Sequence, residues 1–239
     1  MLQALEVACR SSGVRLREHT PVEGIELDAE RVRGVRLADG GFVAAGQVVL
    51  AAGAWTQGIG GLGDQLSVPV RPVKGQVMRL RDPSGPGLVQ RVLRFEGGYI
   101  VPRGDGRYVL GATVEERGFE LAATVGGVYE LLRDAHELVP GLSELEIEEL
   151  SVGLRPGTPD NTPVIGYGGV PGLVWAAGHH RNGVLLAPIT AQLTAQLLTD
   201  RGHGEALDPL IEFCSPARFG RPAAASAEPD ALERVGGRG

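Results

Sequence analysis

The sequence predicts a mixed α/β fold in which a separate antiparallel layer interrupts a first architecture, and three observations carry that expectation. Val48-Val49-Leu50-Ala51-Ala52 is apolar without alternation, the pattern of a strand covered on both faces. From Val68 to about Gly153 the texture changes to longer strands with one helical stretch among them. Beyond that point, strand-like Pro163 to Gly166 and Leu173 to Ala177 and helical Val184 to Leu198 bring the first texture back.

Each element has a local reason. Leu2, Leu5, Val7, Ala8 and Cys9 have helical spacing, and Ser12-Gly13 ends the run with the residue that best tolerates a left-handed cap. Pro21, Asp28, Asp39-Gly40-Gly41 and Gly46 then punctuate five short strands. These are Val14 to His19, Val22 to Leu27, Arg31 to Leu37, Phe42 to Ala45 and Gln47 to Ala51. The middle layer reads as strands at Gly75 to Arg81, Leu88 to Arg94, Gly98 to Pro102 and Arg107 to Ala112, a helix over Ala122 to Leu138, and a strand over Glu144 to Val152. The tail from Ser215, rich in Pro, Ala, Gly and charge, is expected to be disordered.

Composition narrows the function. A chain of 239 residues can bury one large core or two small ones. Its net charge of −6 and scattered basic residues offer no stripe for a phosphate backbone, which argues against nucleic acid. No apolar run reaches the roughly 18 residues of a membrane span, and the first residues lack the form of a signal peptide, so a cytoplasmic protein is expected. Cys9 and Cys214 are too few for a disulfide framework. His179 and His180 are adjacent and lack a nearby acid, so no metal site is expected.

Two arginine-bearing strings carry most of the chemical information. Leu154-Arg155-Pro156-Gly157-Thr158-Pro159-Asp160 sets a permanent cation at a stiff turn, and Gly178-His179-His180-Arg181-Asn182-Gly183 sets another just before a helix. A guanidinium grips a carboxylate through two parallel hydrogen bonds, and a helix start adds backbone donors and a positive dipole end. Each arginine also reads as an ordinary surface residue. Likewise, Ala51-Ala52-Gly53 reads either as close strand-to-helix packing or as room for a cofactor at a strand's carboxyl end.

Taken together, Val48 to Trp55, Pro72-Val73-Lys74-Gly75-Gln76, Tyr99-Ile100-Val101-Pro102-Arg103, Gly111-Ala112-Thr113, Gly153 to Asp160 and Ala177 to Pro188 follow one another in an order that resembles the FAD-dependent D-amino-acid oxidase superfamily, and most of all the glycine oxidases of thiamine biosynthesis. The resemblance covers about residues 1 to 200. It implies part of an FAD-binding domain of the glutathione-reductase-like Rossmann kind (1–67 and 154–204), an inserted antiparallel-sheet substrate domain (68–153), and a tail (205–239).

The resemblance also implies roles. Arg155 would pair with the substrate carboxylate, Tyr99 would donate its hydroxyl to the same group, and Arg181 would line the active site beside the flavin. Gly178 and the backbone of Asn182, Gly183, Val184 and Leu185 would face the flavin ring. Val22, Ala51, Ala52, Gly53 and Trp55 would follow the adenosine and diphosphate. Partners would be a small amino acid or amine and oxygen, and a homo-oligomer is allowed. The superfamily's glycine-rich phosphate turn has no counterpart here, so Met1 would correspond to a point well inside a full-length member. The chain alone is therefore expected to hold FAD weakly or not at all. His180 stands where relatives often carry an aromatic, and Gly97 and Val114 flank the expected pocket without polar groups. A D-amino-acid dehydrogenase, a sarcosine oxidase, and an inactive truncated fragment or a partner of a separate FAD-binding chain are the competing readings.

Overall fold

The computed structural model describes residues 1–28, 31–64, 66–199 and 208–220, and these form a mixed α/β fold with three sheets. The largest sheet has five antiparallel strands: β5 (Arg71–Arg81), β6 (Leu93–Phe95), β7 (Gly98–Pro102), β8 (Arg107–Gly111) and β9 (Glu146–Gly157). Their spatial order is β6-β7-β8-β5-β9. β9 lies beside β5 along its whole length, from Arg71 opposite Gly157 to Arg81 opposite Glu146. Period-two alternation assigns the faces of β5: Met78 and Leu80 are buried, while Arg79 and Arg81 are exposed. The buried face, with Ile100, Tyr108 and Leu110, packs on Leu131 and Ala135 of helix α2 (Val125–Leu138). Each large apolar side chain fully buried there contributes about 1.5–3 kcal/mol.

The second core lies between the other two sheets and helix α3 (Gly183–Thr199). β4 (Val48–Leu50) runs parallel to β11 (Leu173–Ala177), which pairs antiparallel with β10 (Val164–Tyr167). Leu50, Leu173 and Trp175 pack on Ile25 and Val32 of the meander β1 (Val22–Leu27), β2 (Val32–Leu37) and β3 (Phe42–Ala44). On the opposite face, Val49 and Val174 meet Leu193 and Leu197 of α3. Burial on both faces explains why β4 carries no polar alternation.

Several elements differ from the sequence expectation, each for a local reason. Val14 to His19 forms no strand: these residues are exposed and pair with no strand among the described residues. Leu88 to Arg94 contributes a strand only from Leu93, because Val89 serves as a plug in the α2 core without pairing. Helix α2 starts at Val125 rather than Ala122, since the Thr124 hydroxyl accepts the Gly127 N–H at 3.2 Å and caps it there. β9 extends to Gly157 because β5 itself begins at Arg71. The first helix, α1 (Leu2–Ser11), buries none of its residues.

The chain after Ser215, expected to be disordered, instead forms a 3₁₀ turn at Pro216–Phe219 behind the short helix α4 (Pro209–Phe213); residues 221–239 lie outside the described residues. Arg218 holds this turn. Its guanidinium donates to Asp160 Oδ2 at 2.9 Å and to the carbonyls of Cys214 at 2.8 Å and Thr162 at 2.8 Å. That bond, with help from Thr162 and Thr158, holds the Asp160 carboxyl at about 2. A depressed carboxylate stabilises the fold above its unfolded value, and the contribution disappears as pH falls toward 2. Asp160 is well exposed, so the ion pair itself contributes little. The buried-side carbonyl bonds contribute more, and Arg218→Ala is expected to lower unfolding free energy by about 2 kcal/mol, read from the urea midpoint. Loss of acid sensitivity between pH 4 and 2 in Asp160→Asn would accompany it.

Candidate active site

The turn between β11 and α3 brings the two arginine strings together. Gly178 has φ +76°, and a Cβ there would sit 2.6 Å from Thr158 Cγ2, so glycine alone fits. Two residues on, His180 is also left-handed at φ +48° and donates its N–H to the Pro156 carbonyl at 2.8 Å. The start of α3 is thereby tied to the end of β9. His179 lies with Nε2 2.8 Å from Thr190 Oγ1, and burial lowers its pKa. Leu186 donates to the Asn182 carbonyl at 2.9 Å, and the N–H groups of Gly183, Val184 and Leu185 in the first helical turn have no hydrogen-bond acceptor among the described residues.

Arg155 projects from β9 beside Val73. Its Nη1 donates to the Thr113 carbonyl at 3.0 Å and the Lys74 carbonyl at 3.3 Å. Among the described residues no carboxylate pairs with it. Burial draws its pKa below the ordinary range; Tyr99 opposes that effect and Arg181 reinforces it. A half-buried cation without an anion is a standing cost, and a carboxylate ligand would remove it.

Tyr99 stands on β7 between Arg94 of β6 and Gly111 of β8. These groups open onto one hollow of ≈ 880 Å³ lined by Arg94, Gly97, Tyr99, Val114, Arg155, His180, Arg181, Asn182, Gly183 and Val184, among others. Of the residues the family resemblance singled out, Tyr99, Arg155, Arg181, Asn182, Gly183 and Val184 line this hollow together. Gly178 is buried behind the turn, and Leu185 follows the rim at 78% exposure. Val22, Ala51, Ala52, Gly53 and Trp55 do not line this hollow. Val22 begins β1, and Ala51 to Gly53 leave the carboxyl end of β4, where Gly53 has φ +55° and open space around its Cα. Trp55 lies with its ring centroid 6.2 Å from that of Phe119.

Sequence reading missed Arg94, the Thr113 carbonyl, and the polar set around Lys74. Lys74 is fully buried, with Nζ 3.7 Å from Glu115 and 3.6 Å from Glu120. Glu115 also accepts from Thr113 Oγ1 at 2.5 Å and Gln76 Nε2 at 2.8 Å, and its pKa is lowered because these bonds and Lys74 outweigh burial. Arg94 was legible in principle, since the hairpin at Glu96-Gly97 puts it across from Tyr99.

A half-buried guanidinium that meets no carboxylate among the described residues and the first backbone N–H groups of α3 thus border one hollow. The chain belongs to the FAD dependent oxidoreductase family, whose pattern it matches over residues 1–197. It is 42% identical over 222 residues to the bifunctional protein ThiO/ThiG of Synechocystis sp., covering 92% of this chain and 32% of that protein. It is 39% identical over 202 residues to the glycine oxidase of Pseudomonas putida, covering 82% and 52%. Among solved structures, glycine oxidase from Geobacillus kaustophilus superposes with a TM-score of 0.78 at 36% identity, covering 90% of this chain and 56% of that one. Iminodiacetate oxidase from Chelativorans sp. does so at 0.78 and 30%, covering 88% and 56%. The chain thus spans about a third of the first of these relatives and about half of the others.

Proposed function

We propose that this chain supplies the substrate clamp and the flavin-facing edge of an FAD-dependent oxidase for glycine or a similarly small amino acid or amine. One observation carries the reading: the half-buried Arg155 guanidinium, unpaired by any described carboxylate, faces the same hollow as the free N–H groups of α3. The residues present suit the ring end of FAD. Three backbone donors and a positive helix end complement the polar edge of a flavin, while Val184 and Leu185, 72% and 78% exposed, offer it apolar contact. Gly53 and the small residues before it leave space for the nucleotide portion after β4.

When bound, FAD supplies the acceptor for the two electrons removed from the substrate. The protein's part is position. Arg155 grips the carboxylate with a two-pronged hydrogen bond, the Tyr99 hydroxyl donates to the same group, and Arg181 adds positive potential. Three cationic side chains around the hollow disfavour an ammonium and select the neutral amine, so no side-chain base is needed. The substrate leaves as an imine that water converts to a keto acid, glyoxylate in the case of glycine, and ammonia; oxygen is reduced to hydrogen peroxide. The relationship to ThiO/ThiG supports a place in thiamine biosynthesis.

The fold supports a corresponding division of labour. β4, β10, β11, α3 and the β1–β3 meander would be the FAD-binding part, of Rossmann kind, from 1–67 and 154–204. The five-stranded sheet with α2 would be the inserted substrate domain, 68–153, joined to the rest by β9, which runs unbroken through position 153. Peroxide release by the flavin-loaded protein, alone or joined to a relative's amino-terminal segment, tests the function with glycine, sarcosine and D-alanine in turn. Release with glycine supports the reading, and silence with all three small carboxylates sinks it.

A further inference from the structure

The Arg155 guanidinium does not hang free in the hollow; it lies flat on the backbone of the neighbouring strand. A Cβ added at Gly75 would be 2.3 Å from both Nη1 and Nη2 and 2.5 Å from Cζ, so the whole planar group occupies the space a side chain would take. The Thr113 carbonyl at 3.0 Å and the Lys74 carbonyl at 3.3 Å fix the group from its inner edge. Glycine weakens a strand interior, and β5 carries this one among otherwise bulky residues, where its backbone φ gives no reason for it. The same arrangement recurs one strand over. A Cβ at Gly111 would be 3.0 Å from the Tyr99 hydroxyl oxygen, so that phenol also rests on a bare Cα. Gly153 provides the contrast: it is the direct cross-strand partner of Gly75, yet a Cβ there would meet nothing within 4 Å.

We propose that Gly75 is the positioning residue of the carboxylate clamp, a bed that sets the height of the Arg155 guanidinium above the sheet and so the place where a substrate carboxylate is held. The proposal deepens the anchoring role given to Arg155 and rests on it. Any side chain at 75 lifts the guanidinium off its two carbonyl acceptors and into the hollow.

A double-mutant cycle on the chain decides the matter without any cofactor. Gly75→Ala is expected to lower Tm by ~6 °C or more in the natural background, because a packed group is displaced. In an Arg155→Ala background the same change should cost nothing, since the displaced group is gone. If Gly75→Ala alone fails to fold, recovery of folding in the double variant carries the same information. Gly153→Ala should not lower Tm in either background. Equal losses from Gly75→Ala with and without Arg155 overturn the proposal.

A second readout separates positioning from simple packing. Labelling of Arg155 by phenylglyoxal, mapped by mass spectrometry, should rise severalfold in Gly75→Ala and not in Gly153→Ala. Glycolate should protect Arg155 in the natural chain and in Gly153→Ala but not in Gly75→Ala. Unchanged labelling of Gly75→Ala overturns the proposal. Absence of glycolate protection in the natural chain defeats the anchoring reading instead, and the stability cycle still judges Gly75.

Discussion

In the proposed function, replacing Arg155 with alanine is expected to lower kcat/KM for glycine by at least about 100-fold, with most of the loss in KM. The size follows from what the guanidinium does in the hollow. Two charge-assisted hydrogen bonds to a carboxylate in a partly desolvated site are together worth about 3 kcal/mol, or roughly two orders of magnitude. Interactions made equally with the bound substrate and the transition state appear in KM, and carboxylate gripping is largely of that kind. Arg155→Lys restores charge without the planar fork, and its ammonium cannot reach the Thr113 carbonyl and a ligand with the same geometry. A deficit of at least about 10-fold is expected to remain there. Steady-state peroxide release at varied glycine checks both. Unchanged KM in Arg155→Ala would remove this residue from the site.

Gly178→Ala is expected to produce a large loss of stability for a single added methyl group. Two costs combine. A φ of +76° is unfavourable for any residue with a Cβ, by about 1–2 kcal/mol. The added methyl would also lie 2.6 Å from Thr158 Cγ2, and Thr158 is fully buried with its hydroxyl bonded to Asp160 at 3.0 Å and the Thr162 carbonyl at 2.9 Å. Overpacking of that kind costs about 1–3 kcal/mol. Together these amount to roughly 3 kcal/mol, or a Tm lower by about 10 °C in a chain of this size. Because the same turn sets Arg181 and the first donors of α3, ligand binding should weaken alongside. A Tm within 2 °C of the natural chain, a bound about one-fifth of that shift, would count against the role given to this turn.

The parts of the molecule legible in advance were those that local chemistry decides. Apolar β4 announced burial on both faces, and Leu173 to Ala177 and Val184 to Leu198 announced a strand and a helix whose bounds hold to within one residue. Where a segment's fate depended on a distant partner, periodicity misled. Val14-x-Leu16 alternates like a strand but meets no other strand, and Val89 was counted into a ladder when it is a core plug. The two arginines stood out because their neighbours are turn-forming, whereas Tyr99 reads locally as an ordinary strand aromatic and was singled out only by the family resemblance. Gly75 and Lys74 did not stand out, since a strand glycine reads as a weakness and a strand lysine as solvated. Only the packing of β5 against β9 and the loop after β8 shows that one is covered by a guanidinium and the other sealed among carboxylates.

The bond from the His180 amide to the Pro156 carbonyl has a consequence for selectivity. In the proposed function the carboxylate clamp stands on β9 and the flavin-facing helix end on α3, and this peptide-to-peptide tether would act as the gauge between them. With the Arg155 guanidinium seated on Gly75, reach would then be fixed by these backbone supports rather than by the remaining pocket walls. Exchanging lining side chains should retune which substituents are tolerated on the α-carbon while leaving the span from anion to ring edge untouched. A longer-backboned substrate would demand a new turn, not a new wall.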